Sequence, residues 1–250
     1  MDFALSKDAK ALQLRINYGG DGALTVKRLS LAPYTLFYTD TYFLIGVFLF
    51  LHLAAWLYVR SGKRLSQEKL VDCAVILGVA LLATTPMMQT YLYNADDLCY
   101  HLARLEGLKD GILDGQVIPV NILPEGLQNN GYMNAMYPYL FLYIGAFMRL
   151  CGVSLAFSYK TLIFLSNLGS AVCAYVAVKS MVKSRRSVIL SVVLYTLMPY
   201  RFTNIFSRGD LGETLALVFW PMVIAGLYHI VMGDRKKWHY LVIGFTGALQ

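Results

Sequence analysis

The sequence predicts an all-α integral membrane protein: a multipass transmembrane helical bundle with amphipathic surface helices in an outer-face loop, preceded by a small N-terminal β element. Three observations predict this. Hydrophobic residues make up 57% of the chain and charged residues only 15%, against about 25% charge in a soluble domain. Apolar stretches recur at 41–59, 70–92, 158–178, 187–206, 211–232 and 238–250, and a span needs roughly 20 such residues. Basic residues cluster in the short segments between some of these stretches, as they do on the cytoplasmic side of membrane proteins.

Residues 1–40 are polar and mixed. Leu12, Leu14 and Ile16 alternate with Gln13 and Arg15; Gly19-Gly20-Asp21-Gly22 follows; then Leu24 and Val26 alternate with Thr25 and Lys27. Two period-2 runs around a Gly-rich turn read as a hairpin. Residues 41–250 form the transmembrane domain. It ends within the apolar run Tyr240-Leu241-Val242-Ile243-Gly244-Phe245, so the protein is expected to continue beyond Gln250. Pro86 is expected to kink the second stretch, which neighbouring helices tolerate in a membrane.

The basic segments fix the sidedness. Arg60, Lys63, Arg64 and Lys69 form one; Lys179, Lys183, Arg185 and Arg186 a second; Arg235, Lys236 and Lys237 a third. If all three are cytoplasmic, an even number of crossings separates the first from the second. Stretches 70–92 and 158–178 supply two. The shorter aromatic segment 136–150 then lies on or re-enters the outer face, where Tyr137, Tyr139, Phe141, Tyr143 and Phe147 suit the interface. Residues 93–157 become a long outer loop and 201–210 a second one. The net charge of +7 is thus mostly a topology signal, and no nucleic-acid partner is expected.

Charge is scarce, so its concentration in Asp96-Asp97-Leu98-Cys99-Tyr100-His101-Leu102-Ala103-Arg104, where a span meets the outer loop, marks a candidate site. Residues 97–113 read as an amphipathic helix. Leu98, Leu102, Leu105, Ile112 and Leu113 fall on one side, toward lipid or neighbouring spans; Asp97, Tyr100, His101 and Arg104 share another face, toward a cavity. Asp97 suits a general base, and His101 or Arg104 suits an anionic group such as phosphate. The structural alternative is a cap: Asn94 or Asp96 at the helix N-cap, with Asp97 near the first-turn amides. The second outer loop adds Arg201, Asn204, Arg208, Asp210 and Glu213. Arg208 and Asp210 either face the same cavity, or Asp210 and Glu213 favour a helix N-terminus while Arg201 and Arg208 snorkel to lipid phosphates.

The remaining chemistry-bearing residues read as structural. Cys73, Cys99, Cys151 and Cys173 are scattered without metal-ligand spacing and read as packing residues. His52 and His229 lie in or near apolar spans with no second ligand at useful spacing. No metal ligand set is assigned, and no Walker A, GxGxxG or GxSxG motif occurs.

The order of features resembles the N-terminal half of the GT-C superfamily of multipass glycosyltransferases. The resemblance rests on the acidic pair Asp96-Asp97 after a span, Tyr100-His101-x-Ala103, Gly111, Pro119, Tyr137-Pro138-Tyr139-Leu140, and Leu150-Cys151-Gly152-Val153-Ser154. The run from Tyr100 to Gly111 is similar to bacterial membrane proteins of the YfhO-like type. The chain departs from the pattern in having one Pro at Pro138 where many members have two, and in its first span and β element. The resemblance implies transfer of a sugar from a polyprenyl-phosphate donor to a cell-envelope acceptor on the outer face of the bacterial plasma membrane. It implies Asp97, or Asp96, as the base, with a divalent metal in some members. It further implies that Arg104, His101 or Arg208 meets the charge of the departing lipid phosphate. A transporter or flippase and a non-catalytic envelope assembly component are the alternatives. A transporter should carry polar residues near the midplane of several helices.

Overall fold

The computed structural model describes residues 37–60, 66–89, 91–116 and 139–248. All the regular structure among them is helical. The expected β element falls on residues outside that description, apart from its last few positions, which begin a helix. Among the described residues ten α-helices follow in chain order: α1 Phe37–Arg60, α2 Gln67–Thr84, α3 Leu98–Leu113, α4 Leu142–Leu150, α5 Leu155–Met181, α6 Arg185–Thr196, α7 Pro199–Phe202, α8 Leu211–Ala216, α9 Trp220–Val231 and α10 His239–Ala248.

Among the described residues, three helical stretches are long and apolar enough to cross a membrane: Gln67–Met88, Leu155–Met181 and Arg185–Arg208. Their packing follows from small residues. Ala80, Ala83, Ala171, Ala174 and Ala177 are almost fully buried, which lets backbones approach without large side chains between them. Leu77, Leu81, Leu82, Leu190 and Leu194 are exposed, an arrangement that water would penalise and hydrocarbon would not. Helix α5 is the hub: α2, α6, α4 and α9 pack against it, and α10 packs on α9.

The two ends of the bundle differ. At the end carrying the basic segments, buried Asp72 accepts hydrogen bonds from Arg185 Nε at 2.8 Å and from the Tyr175 hydroxyl at 2.7 Å. Asp72 thereby ties the start of α2 to α5 and α6. At the opposite end α3 and α4 lie against the first half of α5. Leu98, Leu105, Leu108, Leu142, Ala146 and Leu162 form the core there. Helix α4 has nine residues, about 13 Å at 1.5 Å per residue, and is too short to cross a bilayer. Glu106 clamps α3 to α4 through Arg149, whose Nε and Nη2 donate to it at 2.8 and 3.0 Å. Burial raises the Glu106 carboxyl, but the hydrogen bonds from Arg149 and Lys109 outweigh it and hold its pKa below the usual value. Ser154 caps α5 through Phe157 N–H, and it also receives α1: its N–H and hydroxyl donate to the two Asp40 carboxylate oxygens at 2.8 and 2.6 Å.

Several elements differ from the sequence expectation for identifiable reasons. The stretch 211–232 is not one helix; it breaks after α8 and restarts at α9, with Pro221 in the first turn, because proline cannot donate an intrahelical hydrogen bond. The stretch 187–206 likewise stops at Thr196 and resumes at Pro199, then widens into a π-helical turn over Thr203–Arg208. Pro86 closes the second stretch as a 3-10 turn, Thr85–Met88. The cysteines are not all packing residues: Cys73, Cys99 and Cys151 are exposed free thiols. His229 is buried with Nε2 2.9 Å from Ser180 Oγ, whereas exposed His52 holds the Phe48 carbonyl of its own helix.

Candidate functional site

The segment carrying Asp96 and Asp97 docks on the segment carrying Arg208 through backbone. Asp96 N–H donates to the Ser207 carbonyl at 3.3 Å and Asp97 N–H to the Arg208 carbonyl at 2.7 Å. Gly209 makes this approach feasible. Its φ is +66°, and a Cβ there would lie 2.9 Å from Ala95 Cβ and 3.0 Å from Leu98 N. Only glycine meets both demands at once. The acidic pair and the Arg208–Asp210 loop are therefore one structural unit, although more than a hundred residues separate them in sequence.

Within this unit the residues take distinct positions. Asp97 sits at the N-cap of α3, but its side chain makes no capping hydrogen bond. Both Asp96 and Asp97 are exposed. The sequence placed the cap at Asn94 or Asp96; the chain instead turns through residues 96–97, held by the Ser207 and Arg208 carbonyls. Asp97 is thus an exposed carboxylate at the head of a helix, beside the loop that carries Arg208.

His101 and Arg104 lie deeper than a cavity-facing stripe would. They are 1% and 3% exposed. Arg104 Nη1 approaches His101 Nδ1 at 3.5 Å, and its guanidinium lies 5.6 Å from the Tyr100 ring centroid. Burial, reinforced by the Arg104 charge and partly offset by Asp210, lowers the His101 pKa to about 4. His101 is therefore neutral at pH 7 and a hydrogen-bonding group, not a second cation. Burial also raises the Tyr100 hydroxyl above its ordinary value. The buried stripe of α3 runs through Leu98, His101, Leu105, Leu108 and Gly111, while Leu113 is 68% exposed. The helix is rotated from the expected orientation because α4, α5 and the second loop cover the face bearing His101 and Arg104.

Asp210 is 8% exposed and serves two partners. Its Oδ1 accepts from Glu213 N–H at 3.0 Å, capping α8, and its Oδ2 accepts from Arg208 Nη2 at 3.1 Å. The capping and site readings of Asp210 are therefore compatible. Arg208 also donates to Asn204 Oδ1 at 2.7 Å and Glu213 Oε2 at 2.6 Å, and the Tyr200 hydroxyl donates to Glu213. With a side chain 42% exposed, Arg208 is the cation of this unit that solvent reaches most readily.

Arg201 does not snorkel. It is 1% exposed and turns into the bundle, where Nη2 donates to Asn167 Oδ1 at 3.0 Å. Asn167 Nδ2 in turn donates to Thr84 Oγ1 at 3.0 Å. Asn167 and Thr84 escaped the sequence reading. The available signal was a polar Ser166-Asn167 pair in the middle of an apolar stretch, a placement that is costly in a membrane unless it has a purpose. Among the described residues no cluster of three or more His, Cys, Asp or Glu side chains forms a metal-binding set. Pro119, Tyr137 and Pro138 lie outside the described residues.

Comparison with known proteins adds little. No family model matches the chain and no solved structure matches it. An uncharacterised protein of Lactococcus lactis subsp. cremoris (strain MG1363) is 25% identical over 179 residues, which cover 70% of this chain and 29% of that relative.

Proposed function

We infer that the protein is a multipass glycosyltransferase of the bacterial plasma membrane, which moves a sugar from a polyprenyl-phosphate donor to a cell-envelope acceptor on the outer face. The observation that carries this reading is the exposed Asp97 carboxylate, fixed at the head of α3 by backbone pairing with the loop that bears Arg208. In the reaction, Asp97 takes the proton from an acceptor hydroxyl as that oxygen attacks the anomeric carbon. The bond from carbon to phosphate oxygen breaks, and the polyprenyl phosphate leaves with the electron pair. Arg208 is the accessible cation beside that charge, while buried Arg104 and neutral His101 support the loop from beneath. Asp96 is the neighbouring carboxylate, one peptide away.

The test uses the full-length protein in membranes supplied with a radiolabelled polyprenyl-phosphate sugar. Asp97→Asn is expected to lower transfer by about 10²–10⁴-fold, the usual contribution of a positioned base, with insertion and expression unchanged. Full transfer by that variant would sink the reading.

A second reading gains from one observation. The Thr84–Asn167–Arg201 chain joins three stretches of the bundle at the middle of α5, as a transporter or flippase for an anionic or lipid-linked solute requires. Solute uptake that survives Asp97→Asn but fails when Arg201 is replaced would favour it.

A further inference from the structure

The interior of the bundle contains donors in need of an acceptor. Arg201 Nε, Arg201 Nη1 and Asn204 Nδ2 are buried without a hydrogen-bond partner. So are the hydroxyls of Thr196 and Ser158. Every one of these groups can donate, and the three nitrogens can do nothing else. Buried polar groups are normally paired, so a local excess of donors points to a missing acceptor.

The shortfall has a definite place. From the outer side a polar chain runs from Glu213 through Arg208 to Asn204 Oδ1. Within the bundle another runs from Thr84 through Asn167 to Arg201 Nη2. Arg201 and Asn204 are three residues apart on continuous helical backbone, a spacing that places side chains on one face. The unpartnered Arg201 and Asn204 nitrogens thus belong to one face of one helix, with the Tyr195 ring centroid 5.9 Å from the Arg201 guanidinium and Glu213 beside Asn204. No carboxylate lies within ion-pair distance of Arg201 among the described residues, whereas the other arginine bonded to this path, Arg208, pairs with Asp210 and Glu213. The Tyr195 ring meets the Arg201 charge only in part, and a buried guanidinium left without an anion is costly.

We propose that Arg201 and Asn204 form an oxyanion site inside the bundle, which takes a phosphate group reached from the outer loop. Arg201 supplies the charge, Asn167 orients it through Nη2, and Asn204 donates from the next turn of the same helix face while Arg208 holds its carbonyl oxygen. Phosphate is the favoured oxyanion because it offers several acceptor oxygens to donors that approach from different directions. The site stands independently of the transfer reaction, since it uses neither Asp96 nor Asp97.

The experiment uses full-length protein, stripped of lipid in a maltoside detergent, with equilibrium binding of two probes: radiolabelled inorganic phosphate and short-chain phosphatidic acid. Wild type is expected to bind at least one of them saturably. Phosphatidic acid alone identifies a lipid headgroup as the source; both probes identify a site open to the free anion. Arg201→Gln is expected to weaken binding at least about 30-fold, as removal of one partner from a buried charged pair does. Asn204→Asp guards against a merely unfolded variant. It keeps the oxygen that Arg208 uses, removes the unpartnered donor and places a carboxylate beside Arg201. This variant is expected to lose probe binding while unfolding at a higher temperature than wild type without ligand. Binding of neither probe by wild type, or undiminished binding by Asn204→Asp, would overturn the proposal.

Discussion

Gly209→Ala tests whether the Asp96–Asp97 segment and the Arg208–Asp210 loop act as one unit. The substitution acts in two ways. An alanine held at φ +66° costs about 1–2 kcal/mol for the left-handed conformation. Its Cβ would also lie 2.9 Å from Ala95 Cβ, 3.0 Å from Leu98 N and 3.4 Å from Leu98 Cα. None of these atoms can rotate away, so the segments must separate. Separation breaks the bonds from Asp96 and Asp97 N–H to Ser207 and Arg208, each worth about 0.5–1.5 kcal/mol net. The docked state thus loses about 2–5 kcal/mol. Hydrogen–deuterium exchange resolved at the Asp96 and Asp97 amides is the assay, and a loss of 2 kcal/mol corresponds to roughly 30-fold faster exchange. Gly115→Ala is the control, because Gly115 also has positive φ, +82°, but nothing lies within 4 Å of its added Cβ. Unchanged exchange at Asp96 and Asp97 in Gly209→Ala, or the same change in both variants, would refute the reasoning.

His101 sets a pH dependence. Its pKa falls from 6.5 in the unfolded chain to about 4 in the fold, so the fold is favoured above pH 6.5 and that contribution is lost as the pH falls from 6.5 toward 4. The total is about 3 kcal/mol; unfolding curves across this range should slope for wild type and flatten in His101→Gln. Cysteine labelling tests sidedness: exposed Cys99 and Cys151 lie at the end of the bundle opposite the basic segments, whereas Cys73 lies within the stretch Gln67–Met88. A membrane-impermeant maleimide added outside intact cells should label the first two, in single-cysteine variants, and spare a Lys183→Cys variant in the exposed basic segment; the reverse pattern would invert the topology.

Much of the helical framework was legible because period and length are local properties. The expected amphipathic helix 97–113 is α3, Leu98–Leu113, and the expected span 158–178 lies within α5, Leu155–Met181. The depth of His101 and Arg104 was not legible. Periodicity shows which residues share a face, but only the packing of α4, α5 and the second loop decides whether that face meets solvent. Arg201 illustrates the same limit with opposite consequence. An arginine at the end of an apolar stretch normally reaches outward to lipid phosphate; here Asn167 and Thr84, on two other helices, draw it inward. The cap of α3 failed for a related reason, since the Asp96–Asp97 turn is set by carbonyls of the second loop and not by its own side chains.

The π-helical turn Thr203–Arg208 connects the two polar assemblies, and its geometry accounts for their separation. In a regular α-helix residues 201, 204 and 208, at i, i+3 and i+7, would lie on one stripe and share one environment. Here Arg201 and Asn204 are 1% and 0% exposed, yet the Arg208 side chain is 42% exposed. The extra residue in the wide turn swings Arg208 off the stripe, and Gly209 then reverses the chain against Ala95 and Leu98. One turn thus leaves the Arg208 side chain 42% exposed on the segment whose backbone pairs with Asp97, and holds another arginine inside the bundle beside Asn167. Such turns cost regular hydrogen bonding and occur most often where function requires a side chain to be re-aimed. The two arginines consequently have separable roles: substitutions at Arg208 act on the unit that holds Asp96 and Asp97, and substitutions at Arg201 act on the interior.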